Sequence, residues 1–426
     1  MRFLNVIFPK TKFQRDIGWN ALTFAAMGIS GTLLNILLVM KYGAEILGVF
    51  NQVYAVYILI SHLSVFGLYA SVLKHVSEYS EDGHSCSQIL ISSLCIGFAA
   101  ASLVSLVYYV AAPLVGSILD SPLVAKGMIF SSIGLWCLSI NKILLAFLNG
   151  KGELKAFAIF SAFRYLLMPL SLAVLIFLGL PGYIAPIIFT LTESILLIGL
   201  LIFCLRFFSL ASASRCRKWF KIHLSFGGKT LIGGAISDMN TRVDVLMLGG
   251  FFGDKLVGIY SLAAMLAEGF DQIPVIFKVN YNPLLAKLIV KKRLEELSLM
   301  IRNFLKKWFP ISLGLGFLAV LVFPSFVKII SDDPELLNGW FIFAVLIAGM
   351  VARSGYSVFG DLPSQAGHPG HQTLLIFFVA GSNIILNYFF IQQWGLYGAA
   401  IATSLSFIFG IFYLKIIVKK ILGIAI

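Results

Sequence analysis

Charge is what this sequence has least of: 12% of its 426 residues are Asp, Glu, Lys or Arg, about half of the roughly 25% an ordinary soluble domain carries. Since 59% of the residues are hydrophobic, no water-soluble fold could bury the apolar surface, and soluble globular classes are excluded. Cysteine is scarce as well. The five present, Cys86, Cys95, Cys137, Cys204 and Cys216, form no CxxC pair, so neither a disulfide framework nor a metal site is indicated. GxSxG, a Walker A loop, HExxH and a dinucleotide fingerprint are all missing, so no enzyme activity, catalytic residue, resident cofactor or ATP site is expected. His368 and His371 lie in the Gly/Pro-rich stretch AGHPGH, which reads as a turn rather than a metal site.

What the chain has instead is about twelve apolar runs of roughly 20 residues, the length a helix needs to cross a bilayer. They cover residues 17–40, 47–73, 87–112, 124–149, 156–179, 183–206, 224–252, 256–281, 304–330, 337–360, 372–392 and 395–418. In lipid every backbone polar group must be paired internally, and the short alternation of a membrane β-barrel is missing, so the fold class is an all-α membrane protein. Arg2, Lys10, Lys12 and Arg15 precede the first run without a small-residue cleavage site, which predicts a retained anchor.

Of the charged residues, 32 are basic and 19 acidic. The basic ones gather at the N-terminus, at Lys74, at Lys151 and Lys155, in the stretch Arg206, Arg215, Arg217, Lys218 and Lys221, and in the tail Lys415, Lys419 and Lys420. By the positive-inside rule that side, with both termini, is expected to be cytoplasmic in an inner membrane. The dispersal of these charges over loops, with no recognition motif, excludes nucleic acid as a partner. Between Lys287 and Lys307 basic residues alternate with leucines in a spacing that suits an interfacial helix.

Internal duplication organises the whole. Tyr42-Gly43-Ala44-Glu45-Ile46-Leu47-Gly48-Val49-Phe50 is echoed by Phe252-Gly253-Asp254-Lys255-Leu256-Val257-Gly258-Ile259-Tyr260, and Leu180 to Ala185 more weakly by Trp394 to Ala399. The expected architecture is therefore six plus six helices in parallel repeat, residues 1–208 and 223–426, joined by a basic cytoplasmic linker at 209–222.

Ionisable residues inside such runs are costly and become functional candidates. They are Arg164, Glu193, Asp238, Arg242, Asp244, Glu268, Asp271 and Arg353. Asp238 and Arg242 stand four apart and share a helix face; with Glu268, Asp271, Gln272 and Asn240 they form either an ion-coupling cluster, for protons or sodium, or a structural one. Arg164 and Arg353 have no acidic residue three or four positions away. Each either meets an anionic headgroup, together with Arg242, or pairs across helices, Arg164 with Glu193 among the choices. Lys278, near a helix end, is expected to snorkel.

The stretch Ser237-Asp238-Met239-Asn240-Thr241-Arg242-Val243-Asp244-Val245-Leu246-Met247-Leu248-Gly249, then Val257 to Ala263, resembles the start of the second half in Wzx-type polysaccharide flippases. Asn383-Ile384-Ile385-Leu386-Asn387 and Trp394 to Thr403 resemble the same family's ending. Asp244 matches an acidic position often seen after that opening. The resemblance implies the fold of the multidrug/oligosaccharidyl-lipid/polysaccharide exporter superfamily, two six-helix lobes around a central cavity, and alternating access as the way it moves. It implies as cargo an undecaprenyl-pyrophosphate-linked oligosaccharide, such as an O-antigen repeat unit. Membrane lipids, a polysaccharide polymerase and other assembly proteins would be the partners. The open alternative within the superfamily is an ion-coupled multidrug exporter.

Overall fold

The computed structural model describes residues 12–209 and 216–426, the side chains of 12–26, 229–241 and 279 excepted. Among the described residues there is no strand, and twelve α-helices follow one another: α1 (Lys12–Val65), α2 (Leu68–Glu78), α3 (Gly83–Ile118), α4 (Pro122–Gly150), α5 (Leu154–Phe177), α6 (Ile187–Cys204), α7 (Arg217–Phe251), α8 (Asp254–Val290), α9 (Leu294–Ile330), α10 (Gly339–Ser357), α11 (Leu362–Gln365) and α12 (Pro369–Leu422). Eight are long and apolar enough to cross a membrane, and the bent α8 makes a ninth. Spanning helices are fewer than the apolar runs in part because α1 and α12 each take in two runs. Both have 54 residues, about 80 Å as straight rods and more than twice a bilayer core. Each is interrupted at a glycine in a conformation closed to other residues, Gly43 (φ 81°) in α1 and Gly395 (φ 58°) in α12. After Gly395 the chain turns back on itself, so that Thr403 reaches Asn383 across 3.4 Å.

The chain forms two compact units, Met1–Lys41 with Gln52–Ala235, and Tyr42–Asn51 with Ile236–Ile426. In the first, α4 packs against α3, α2 and α6. Leu68, Val72, Ile89, Leu90, Ile143, Leu144, Phe147, Leu148, Leu196 and Leu200 are fully buried there. Local signals start the helices: Asp82 caps α3 by accepting from the amides of His84 (2.9 Å) and Ser85 (3.2 Å), and Ser121 caps α4 ahead of Pro122. Between α1 and α2 the backbone breaks at Phe66 (φ 52°) and Gly67 (φ 64°). The N-terminal turns of α7 dock on α2 and α3. Trp219 donates to Gln88 Oε1 (3.3 Å), His75 Nδ1 donates to the Ser71 carbonyl (2.7 Å), and Ser71 Oγ shares a hydrogen bond of 2.8 Å with Nδ1 of the fully buried His223.

In the second unit Leu285, Leu297, Ile301, Val358, Phe359 and Leu362 form the core. Leu297 and Ile301 belong to the stretch whose spacing suggested an interfacial helix. The structure corrects that expectation. After a tight turn at Lys292 (φ 55°), Leu294 opens a single 37-residue helix, whose leucine face lies on this core rather than on lipid.

The two halves of the first sequence echo meet inside this unit. A Cβ added to Gly48 would fall on the carbonyl of Asp254, and one added to Gly258 on the carbonyl of Ala44. The contact is reciprocal, since Ala44 stands to Gly258 as Asp254 stands to Gly48. Backbones this close leave room only for Cα–H, which can point at the facing carbonyl oxygen.

Two tests follow from the packing. Gly48→Ala and Gly258→Ala should each lower the unfolding temperature in detergent, by the equivalent of about 2 kcal/mol. The double variant should cost less than the sum, because one contact is being opened twice, whereas Gly314→Ala, whose Cβ meets nothing within 4 Å, should be neutral. The second concerns pH. Burial, with His75 beside it, pushes the His223 imidazole down to about 4 from its ordinary 6.5. The folded state therefore holds it neutral while the unfolded chain takes a proton first. Stability is full above pH 6.5 and is lost as pH falls toward 4, by about 3 kcal/mol. Melting curves from pH 7 to 4.5 should show this decline, and His223→Gln should flatten it.

Candidate functional site

Lipid offers an ion nothing, so a charge inside these helices is either matched by the protein or exposed to a water-filled space. In the first unit Arg164 of α5 donates through Nε to Glu193 Oε1 of α6 at 2.6 Å. Glu193 is fully buried, and its other oxygen accepts from Asn141 Nδ2 of α4 at 2.9 Å. Asn141 also donates to the Glu193 carbonyl (2.9 Å). Of the two fates open to Arg164, the structure shows the cross-helix pair. Tyr57 of α1 lies buried beside it and stacks on Phe189 at 4.8 Å.

The second unit holds two more pairs. Arg242 of α7 faces Glu268 of α8 through both ends of its guanidinium, at 3.4 Å for each contact. Arg353 of α10 donates to Asp271 of α8 at 2.5 Å and lies over the Phe407 ring at 3.9 Å. Glu268 and Asp271, expected in one ion-coupling or structural cluster, thus each have an arginine. Three residues along a helix turn a side chain by about 300°, enough to send Glu268 to α7 and Asp271 to α10. Asp238 and Asn240, expected in the same cluster, have side chains outside the described residues. Lys278 does not simply snorkel; it pairs with Asp361 at 2.9 Å.

Asp244 behaves differently. It is buried, with one oxygen accepting from the Tyr260 hydroxyl (2.5 Å) and the other from the Val245 amide (2.8 Å). The Tyr260 hydroxyl also hydrogen-bonds Thr403. Thr403 Oγ1 reaches Asn383 Oδ1, which accepts from Asn387 Nδ2 at 2.7 Å. This run of buried oxygens links α7, α8 and both arms of α12, and Asn387 Oδ1 has no hydrogen-bond partner.

Sequence reading missed several of these groups. Asn383, Asn387, Thr403 and Tyr260 carry no charge and pass a filter built on charge, although a buried amide in an apolar run is itself a signal. Lys142, in the last third of α4, was overlooked despite its charge. Its ammonium donates to Ser61 Oγ of α1 at 3.0 Å.

Residues 15–273 match the family described as polysaccharide biosynthesis protein. No curated protein matches the chain. Among solved structures the chain is similar to an inward-facing MATE multidrug resistance transporter of the MOP superfamily, at a TM-score of 0.79 and 13% identity over 94% of this chain and 98% of that one. It is similar to the lipid II flippase MurJ in an inward closed conformation, at 0.71 and 18% over 95% and 87%. A MOP superfamily transporter from Pyrococcus furiosus is also similar, at 0.56 and 13% over 95% and 96%. At these identities the likeness speaks for the fold.

A buried ion pair is costly to break from one side, because the partner's charge is stranded. Arg164→Ala and Glu193→Ala should each destabilise by about 3 to 5 kcal/mol. Arg164→Met combined with Glu193→Leu should restore most of the loss, read by unfolding in detergent and by a double-mutant cycle.

Proposed function

Because the chain belongs to the polysaccharide biosynthesis protein family and has the MOP exporter fold, we propose that it flips an undecaprenyl-pyrophosphate-linked oligosaccharide from the cytoplasmic to the outer face of the inner membrane. That it is a multi-pass membrane exporter or flippase, and not an enzyme, follows from the family and the fold. The observation that carries the cargo is the family match over residues 15–273. The charge distribution supports cytoplasmic termini, since Lys and Arg in short loops resist translocation.

In this reading residues 1–208 and 223–426 are lobes that rock in alternating access. With no nucleotide motif in the sequence, the driving force is an ion gradient or downstream consumption of the glycan by a polymerase or other assembly protein. The three ion pairs are electrically neutral as they stand, which supports a structural part for Glu268 and Asp271. Asp244 is the better coupling residue: its hydrogen-bond partners are neutral donors, and a run of oxygens beside it suits a proton or a sodium ion.

A strain depleted of the protein should accumulate lipid-linked oligosaccharide on the cytoplasmic leaflet, and the wild type should relieve it. Asp244→Asn should lower flipping at least tenfold while the protein stays folded in the membrane. Glu268→Gln with Asp271→Asn should leave the dependence on ion gradients unchanged. Normal surface glycan in the depleted strain, with sensitivity to amphipathic cations, would reassign the protein as a multidrug exporter, the reading that the likeness to a MATE transporter supports.

A further inference from the structure

The first unit contains a cavity of about 300 Å³ at the break between α1 and α2. Its polar lining is His62 and Tyr69 from either side of the break and Lys142 and Asn149 from α4, with Phe157 of α5 opposite; the remaining wall is mostly aliphatic. Lys142 springs from one of the most deeply buried stretches of the chain, flanked by Ile143, Leu144 and Phe147. An ammonium placed there acts through a low dielectric, where its attraction for an anion is several times that in water. The cavity also borders the first turn of α2, where Gly67 caps the helix without a side-chain hydrogen bond, so the positive end of the helix dipole adds to the same field. Leu73 and Asn149, at its other end, adjoin Lys74 and Lys151, on the side we assign to the cytoplasm.

We propose that this cavity binds the phosphoryl group of a lipid, with Lys142 as the charge that holds it, His62 and Asn149 as hydrogen-bond donors, and the aliphatic wall against the first carbons of the chain. The inference rests on the lipid-linked cargo proposed above and gives its head group a place apart from Arg164, Arg242 and Arg353. An ammonium suits such a role because it meets phosphate as a point charge, tolerant of the rotation a moving head group needs.

The test uses the whole protein in phosphatidylcholine nanodiscs and radiolabelled geranylgeranyl diphosphate as the probe. Lys142→Gln should weaken binding at least tenfold, and Lys142→Arg should hold it within about threefold. Inorganic diphosphate should compete weakly, since it lacks the chain. A photoreactive benzophenone analogue of the probe, applied to the wild type, should cross-link to peptides spanning residues 62–73 and 142–157. That arm needs no variant to fold. If phosphatidylglycerol competes as well as the diphosphate, the site belongs to the bilayer's own phospholipids; if only the diphosphate does, it belongs to the cargo. Cross-links elsewhere, or Lys142→Gln binding as the wild type does, overturn the inference even if the wild type flips its cargo. A wild type that flips no lipid-linked oligosaccharide overturns the functional reading, whatever the cavity binds.

Discussion

An ion in hydrocarbon has no solvent to fall back on, and the interior of this protein is arranged around that constraint. Arg164 with Glu193, Arg242 with Glu268 and Arg353 with Asp271 each join two different helices. Between helices whose apolar faces are no happier together than in lipid, such pairs supply direction that hydrophobic packing cannot. The desolvation of two ions offsets much of their attraction, so the pairs add more to the choice of neighbours than to stability. Glu193 shows how complete the matching is: one carboxylate oxygen takes the guanidinium, the other takes an amide, and the backbone carbonyl of the same residue takes that amide's second hydrogen.

Where charges do not set the geometry, absent side chains do. Gly48 and Gly258 let two backbones approach until the carbonyls of Ala44 and Asp254 fill the space a Cβ would need. Such a contact has many weak interactions and no strong one, so it can part without stranding an ion. The same motif is not used identically at its two occurrences. Gly43 takes φ 81° within α1, whereas its counterpart Gly253 has φ −68° ahead of α8. The reciprocity thus lies in the glycines that touch.

The fold class was legible because the penalty for unpaired backbone in lipid depends on no particular partner; long apolar runs suffice. The costly charges were legible for the same reason. Their pairing was legible only as one choice among several: Arg164 and Glu193 lie 29 residues apart, and nothing local says which helix faces which. Amphipathic spacing misled between Lys287 and Lys307, because the pattern reports a boundary between apolar and polar surroundings without saying whether the apolar side is lipid or protein. Asn383, Asn387 and Thr403, quoted only for the family they resemble, were not read as buried polar groups because their cost is that of a dipole, which a neighbour can offset, rather than that of an ion.

The pairing of the arginines changes what an anionic cargo would have to do. A phosphate that displaced Asp271 from the guanidinium of Arg353, which it meets at 2.5 Å, would leave a carboxylate without its counter-ion. The exchange becomes favourable only if that carboxylate is neutralised in the same step, by a proton or a cation. Such an exchange would tie anion binding to cation uptake at one residue pair, and the two would rise and fall together. A cationic group elsewhere, such as Lys142 beside Ser61, would leave the Asp271 pair undisturbed when it met the cargo. Whether head-group binding and ion coupling are one event or two is therefore decided by which basic group the phosphate meets first.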